Sequence, residues 1–261
     1  MLGAVVGDIL GSTYERKSTL TREEPFFPPN SSVTDDSVCT IAVAEARMYQ
    51  KPYEVTLHKW GNEYPRCGFG SAFIHWLATD ERKPYGSYGN GALMRVSPVV
   101  ALTHSVDEAL QEAIAATVVT HNHEVSVQAV QTYVKALWLA LHSGDHAKVC
   151  EYLETHGVVA HDVEEMHVKG EFHIRADETL ADVLSCLKTA HDFESLMQEC
   201  LYHGGDTDTI CAIAGTFGEA LWGIPEGIVS RAWELVPAPM QSVLLDEYEL
   251  IGRYHPNLWK P

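Results

Sequence analysis

The amino-acid sequence predicts an all-α fold. Three observations carry that reading. Apolar residues recur at helical spacing in one stretch after another, no run alternates apolar and polar as a half-buried strand would, and no repeat of fixed period breaks the chain into modules. With 46% hydrophobic residues in 261, the chain can bury a substantial core. A single domain over residues 1–261 is expected.

The elements follow in chain order. Leu2, Val5, Val6 and Ile9 fall on helical spacing, while Gly3, Gly7 and Gly11 sit four apart on another face. Without side chains these glycines let a second helix approach closely, against the cost that glycine carries in a helix. Residues 16–33 are polar and contain Pro25, Pro28 and Pro29, so a loop is expected. A helix over 35–48 turns Val38, Ile41 and Ala42 inward, and another covers 53–64. Residues 84–91 are a glycine-rich loop by composition, followed by helices over 94–102 and 105–119. Val127, Val130, Val134, Leu137, Trp138 and Leu141 form an apolar stripe. Residues 157–175, with His161, His167 and His173, are the least regular stretch, and helical patterns resume over 177–190 and 193–202. Ile210, Ile213, Ala214, Phe217 and Leu221 mark a strongly periodic helix ending near Gly223, with Pro225 suited to the first turn of the next. The last helix carries Met240, Val243, Leu244, Leu250, Ile251 and Tyr254.

The net charge of −18, from 36 acidic and 18 basic residues, argues against binding nucleic acid through phosphate neutralisation. None of the six cysteines forms a C-x-x-C pair, which argues against a zinc cage or redox dithiol and suits a reduced, cytoplasmic protein. The opening MLGAVVGD has no basic region and meets Asp8 early, so neither a signal peptide nor a membrane anchor is expected. No run approaches the roughly 18 apolar residues of a membrane span.

Two short acidic clusters stand out: Thr34-Asp35-Asp36-Ser37 and Gly204-Gly205-Asp206-Thr207-Asp208-Thr209. Each opens an amphipathic helix. Either alone is explained by capping, with acids in the first turn against the helix dipole. As a pair they allow more. If the two helix entrances meet, four carboxylates share one pocket, and a cation is needed to neutralise them. Carboxylate and hydroxyl oxygens are hard ligands suited to Mg²⁺ or Mn²⁺, and such ions can hold a hydroxyl-rich substrate and activate a water.

The chain resembles the ADP-ribosylglycohydrolases, the group of the dinitrogenase-reductase-activating glycohydrolase. The resemblance runs almost end to end. It rests on Gly7-Asp8-Ile9-Leu10-Gly11-Ser12-Thr13-Tyr14-Glu15, the 34–37 cluster, Gly68-Phe69-Gly70, Gly86 to Gly91 through Met94-Arg95, Thr120-His121 and the 204–209 cluster, in that order. It implies a compact, orthogonal all-helical bundle with a binuclear metal site between helices. The implied cofactors are two Mg²⁺, with Mn²⁺ in some members. The implied ligands are Thr34, Asp35, Asp36, Asp206, Asp208 and Thr209, all of which carry oxygen donors. Glu15 matches a glutamate that gates the site and assists catalysis, so Glu15, Asp206 and Asp208 are the implied catalytic carboxylates. Asp8 suits either an acceptor that orients metal water or backbone, or a plain buried hydrogen-bond role.

For substrate, Gly68 and Gly70 resemble the contact to the distal ribose. Ser87, Tyr88, Gly89, Asn90 and Gly91 suit a pyrophosphate, because glycines bring backbone N–H groups close to its oxygens. The loop lacks the Lys-Ser/Thr of a Walker motif. Tyr88 is placed to stack on adenine or ribose, His121 matches a turn lining the cleft, and His123 is open. Arg95 is expected to be a structural hydrogen-bonder and Cys211 a core residue. No H-E-x-x-H is present, and Ser37 and Ser87 lack a triad partner. The two-carboxylate glycosidase template fits poorly, since these acids are tied to metals.

The activity implied is hydrolysis of the glycosidic bond between ADP-ribose and a modified protein or other acceptor, with a modified nucleobase left open. A hydrolase of free O-acyl-ADP-ribose and a non-catalytic ADP-ribose reader are the alternatives. A monomer is expected. The sequence departs from the family pattern at His203, where many relatives carry Asn, and over 157–175 no family site residue carries over.

Overall fold

The computed structural model describes residues 1–17 and 20–254. Among them are fourteen α-helices and one 3-10 turn, with no strand beyond an isolated bridge between Gly89 and Arg175. The glycine stripe decides the centre. Helix α1 (Leu2–Gly11) lies along α12 (Thr207–Trp222), and a Cβ at Gly3, Gly7 or Gly11 would overlap the backbone of Gly215, Cys211 or Thr207–Asp208. Two backbones in this contact fix the height of one helix against the other to within a fraction of a turn. That fixes where Asp8 and Asp208 stand.

Helix α12 is buried on every face from Thr207 to Gly218, as an all-round apolar helix must be. Around it stand α2 (Asp35–Tyr49), α7 (Glu124–Ser143), α10 (Ala176–Thr189) and α11 (Phe193–His203). The Tyr133 ring of α7 meets Phe217 edge-on at 5.5 Å between centroids, and its hydroxyl hydrogen-bonds Thr216 Oγ1 at 2.9 Å, so the buried phenol keeps a partner. At the other end, the buried Met1 ammonium donates to Glu247 at 2.6 Å and ties α14 (Ala238–Tyr254) to α1. The Tyr254 side chain, assigned to the apolar face of that helix, lies outside the described residues.

The helices expected over 35–48, 53–64, 105–119, 177–190 and 193–202 are present within a residue or two. Three expectations need correction, and two helices carry no readable signal. The helix expected over 94–102 is only Ser97–Ala101, because Pro98 sits in its first turn and Met94, Arg95 and Val96 lead in from the 3-10 turn Asn90–Ala92. The irregular 157–175 stretch contains the helix Val163–Lys169, started by Asp162 accepting from the Glu164 and Glu165 amides and stopped at Gly170. Pro225 caps the helix Glu226–Trp233 rather than entering its first turn. Helices Ser71–Leu77 and His146–Thr155 went unread. The first is too short for a periodic signal, and the second is announced only by its cap, Asp145 accepting from the Lys148 amide.

Candidate active site

The two acidic clusters meet. Thr34 caps α2 and Asp206 caps α12, so both helix entrances open onto one floor. Thr209 Oγ1 donates to Asp36 Oδ2 at 3.3 Å across the two clusters. Asp8, Asp36 and Asp208, all buried, each offer an oxygen, and these oxygens lie within 4.8 Å of one another. Asp8 is saturated on the spot. Its Oδ1 accepts from Thr34 Oγ1 at 2.6 Å, and its Oδ2 accepts from the amides of Thr34 and Ser37 at 2.9 and 3.1 Å and from the Ser37 hydroxyl. It braces the first turn of α2 against α1. Asp36 differs: its buried Oδ1 has no hydrogen-bond partner. A buried carboxylate oxygen without a donor is costly unless something positive fills the space.

The electrostatics agree with the geometry. Burial, then the Asp208 charge, pushes Asp8 up to about 7 and Asp35 up to about 8. Burial and the same repulsion carry Asp36 well above the usual carboxylate range; burial and Asp206 do so for Asp208. Burial also raises Asp206, although Asn90 Nδ2 donates to its Oδ2 at 2.7 Å. So many like charges cannot all ionise together without a cation. The donor set is oxygen only, which suits a hard divalent ion.

Above this floor opens a cleft of about 540 Å³. Glu15, Thr34, Asp35, Asp36, Gly68, Gly70, Ser87, Gly89, Asn90, Gly91, His121, Asp206, Asp208 and Thr209 all border it. Tyr88 does not: it stands outside the lining, 46% exposed, edge-on to His123 at 5.7 Å between centroids. The 67–70 loop is tied to the floor by the Asp35 amide, which donates to the Cys67 carbonyl at 2.6 Å. Glu15 is partly exposed at the mouth and accepts from Arg16 Nε at 3.1 Å.

Buried Arg95 donates through Nη2 to the carbonyls of Ala116 and Thr117 and to Thr120 Oγ1, at 2.9, 3.1 and 2.8 Å, and so has the structural role expected of it. The Thr120 hydroxyl, which accepts from Arg95, is also hydrogen-bonded to His121 Nδ1 at 2.8 Å. The other ring nitrogen, Nε2, faces Gly91 closely enough that a Cβ there would be 3.0 Å away. Burial and the neighbouring Arg95 hold the imidazole pKa well below its ordinary value. The ring is therefore neutral at the cleft wall.

Several cleft residues were not singled out from the sequence: Arg16, Arg66, Tyr85, Phe172 and Ile174, with the thiols of Cys39 and Cys67. Tyr85 lay inside the glycine-rich stretch and could have been included. Phe172 and Ile174 gave no signal.

An all-helical chain with a buried carboxylate cluster under a glycine-lined cleft defines a class of helical proteins whose carboxylates could hold a metal ion. The chain belongs to the ADP-ribosylglycohydrolase family, whose sequence pattern matches residues 1–245. It is 27% identical over 260 residues to the ADP-ribosyl-[dinitrogen reductase] glycohydrolase of Rhodospirillum rubrum, covering 88% of this chain and 87% of that one. It is 23% identical to the ADP-ribosylarginine hydrolase Tri1 of Pseudomonas putida, over 89% of this chain and 73% of that one. Human ADP-ribosylhydrolase ARH3 is also 23% identical, over 90% and 86%. A solved structure titled ADP-ribosylglycohydrolase-related protein complex superposes with a TM-score of 0.72 at 24% identity, covering 96% and 95% of the two chains, and so shares the fold. Among the described residues no helix is long and apolar enough to cross a membrane.

Proposed function

We propose that the protein hydrolyses the glycosidic bond joining ADP-ribose to a modified acceptor and releases free ADP-ribose. The observation that carries this reading is the convergence of Asp36 and Asp208, with a donorless Asp36 oxygen between them, at the base of a cleft walled by glycine loops. Thr34, Asp35, Asp36, Asp206, Asp208 and Thr209 would hold a pair of Mg²⁺ (or Mn²⁺) ions, which when bound supply charge neutralisation and Lewis-acid polarisation at the distal ribose.

The chain's own groups do the rest. Asn90 aims the Asp206 carboxylate. Gly68 and Gly70 leave room for the ribose, and Ser87 with Gly89–Gly91 receives the diphosphate beside His121 Nε2. A water oxygen attacks the anomeric carbon and loses a proton to a carboxylate, Glu15, Asp206 or Asp208. The bond from that carbon to the acceptor breaks, its electron pair leaves with the acceptor, and the acceptor gains a proton. Buried carboxylates favour the oxocarbenium character that develops at the carbon. The relatives named for ADP-ribosyl-[dinitrogen reductase] and for ADP-ribosylarginine make arginine-linked ADP-ribose the first substrate to try.

The test is a panel of arginine-, serine- and nucleobase-linked ADP-ribose with O-acetyl-ADP-ribose, read by release of ADP-ribose. Release from at least one member, dependent on Mg²⁺ or Mn²⁺, is expected. Binding of ADP-ribose with no release from any member would overturn the reading in favour of a non-catalytic reader.

A further inference from the structure

Residues 171–175 cross the edge of the cleft as a strap fastened at both ends. At one end the Asn90 amide donates to the Ile174 carbonyl at 2.8 Å, and the Ala176 amide donates to the Tyr88 carbonyl at 3.0 Å. This end is tied to the glycine-rich loop. At the other end the Glu171 carbonyl packs on Gly205, so closely that a Cβ there would be 2.9 Å from its oxygen. Gly205 in turn accepts from the Arg16 amide at 3.3 Å, and the Arg16 guanidinium lies over the Phe172 ring at 4.1 Å from its centroid. The strap therefore spans from the loop suited to the diphosphate to the Gly205–Asp206 turn and the Glu15–Arg16 segment hydrogen-bonded to it.

Its middle is pinned from below. His173 Nδ1 donates to both oxygens of buried Asp182 at 3.0 Å, and Asp182 also faces His203 Nε2 at 3.4 Å. Glu171 closes the chain of charges, 3.2 Å from His173 Nε2. With His173 held into the body of the protein, its neighbours Phe172 and Ile174 face the cleft, as both line it. Successive side chains of a non-helical strap take opposite sides.

We propose that Phe172 is the acceptor-side wall of the cleft, and that Asp182, gripping His173 and His203, is the positioning residue that sets it. The inference rests on the functional reading above. With the diphosphate over Gly89–Gly91 and the ribose over the carboxylates, the bond to the acceptor points away from the glycine-rich loop. That half of the cleft is bounded by Glu15, Arg16 and Phe172, whereas Ile174 stands on the ADP-ribose half beside Asn90. An acceptor side chain leaving the anomeric carbon lays its stem on the Phe172 ring, with its polar end toward the Glu15–Arg16 pair.

The distinguishing experiment compares a ligand with an acceptor against one without. Phe172→Ala is expected to lower kcat/KM at least about tenfold on the linkage the unsubstituted protein hydrolyses. The Kd of ADP-ribose, measured by calorimetry, should change less than about twofold, because that ligand does not reach the ring. Phe172→Leu, which keeps apolar bulk, should restore most of the loss. Asp182→Asn should show the same split, with faster amide hydrogen exchange over 171–175. Equal losses in turnover and ADP-ribose binding, or no loss in either, would overturn the wall. Unchanged exchange in Asp182→Asn would overturn the positioning role. If the unsubstituted protein binds ADP-ribose and hydrolyses no linkage, the functional reading fails and takes this inference with it, which a Phe172 failure alone does not do.

Discussion

Two buried groups of charged side chains in this molecule behave in opposite ways. Under the cleft, Asp8, Asp35, Asp36, Asp206 and Asp208 are all of one sign, and each is pushed above its ordinary range by burial and by its neighbours. Beneath the strap, buried Asp182 sits between His173 and His203. Burial opposes its charge, yet the His173 hydrogen bond and the nearby His203 imidazole hold its pKa below the usual value. Burial likewise pulls His203 down, but the Asp182 carboxylate 3.4 Å away, with Cys186 and the Gly204 carbonyl, carries it up to about 9. A balanced cluster sets opposite charges against each other and holds chain in place. An unbalanced one is incomplete, and the missing positive charge marks where function enters.

The largest expected effect breaks the unbalanced side. Asp36→Ala or Asp206→Ala should reduce turnover by about a thousandfold or more while leaving the helical circular dichroism spectrum. The metal-free variants should be no less stable than the parent, since each removes a repelling charge. Retained turnover in both would remove the carboxylate floor from the mechanism. On the balanced side, Asp182→Ala should cost about 3–5 kcal/mol in urea unfolding, because it leaves buried imidazoles without their counter-charge. A loss under about 1 kcal/mol would mean the network is incidental.

The two groups also respond to pH through different linkages. Asp8 and Asp35, held above their unfolded values, favour the folded state below about 4, and that contribution is lost as pH rises through about 7 and about 8. His203 likewise contributes fully below its unfolded pKa of about 6.5 and loses its contribution as pH rises through about 9. Asp182 contributes above about 4 and loses its contribution in acid. Metal-free protein should therefore lose thermal stability from pH 6 to pH 9. A divalent ion should restore only the floor's share, so the rise in Tm with Mg²⁺ should be larger at pH 8.5 than at pH 5.5. An equal rise at both would contradict the coupling. The smallest effect expected is at the mouth: Glu15→Ala should slow turnover about tenfold or more with divalent-ion affinity little changed. Unchanged turnover would return Glu15 to a surface role.

The unbalanced group was legible in the sequence and the balanced one was not, for physical reasons. Asp35, Asp36, Asp206 and Asp208 announce themselves because metal-competent carboxylates at helix entrances occupy short, contiguous stretches with capping chemistry. The glycines that set the height of α1 against α12 are equally local, four residues apart. Asp182, His173 and His203 come from three elements, and each alone looks like a surface or capping residue. Their meaning lies in a contact that no local pattern encodes. The same holds for Phe172, whose only trait is where the strap puts it. Asp8 falls between: its place in an early motif was visible, but its bonds to Thr34 and Ser37 needed the packing of α1 on α2.

The central claim is that the floor carboxylates form one site for divalent cations. The direct test is calorimetric titration of metal-free protein with Mg²⁺ and Mn²⁺ near pH 7, in buffers of different ionisation enthalpy, for the parent and for Asp36→Asn. The account predicts saturable binding to the parent with net proton release, as raised carboxyl groups give up protons to the ion, and binding abolished or strongly weakened in Asp36→Asn. Absence of saturable binding in the parent, or equal affinity in the variant, would contradict it.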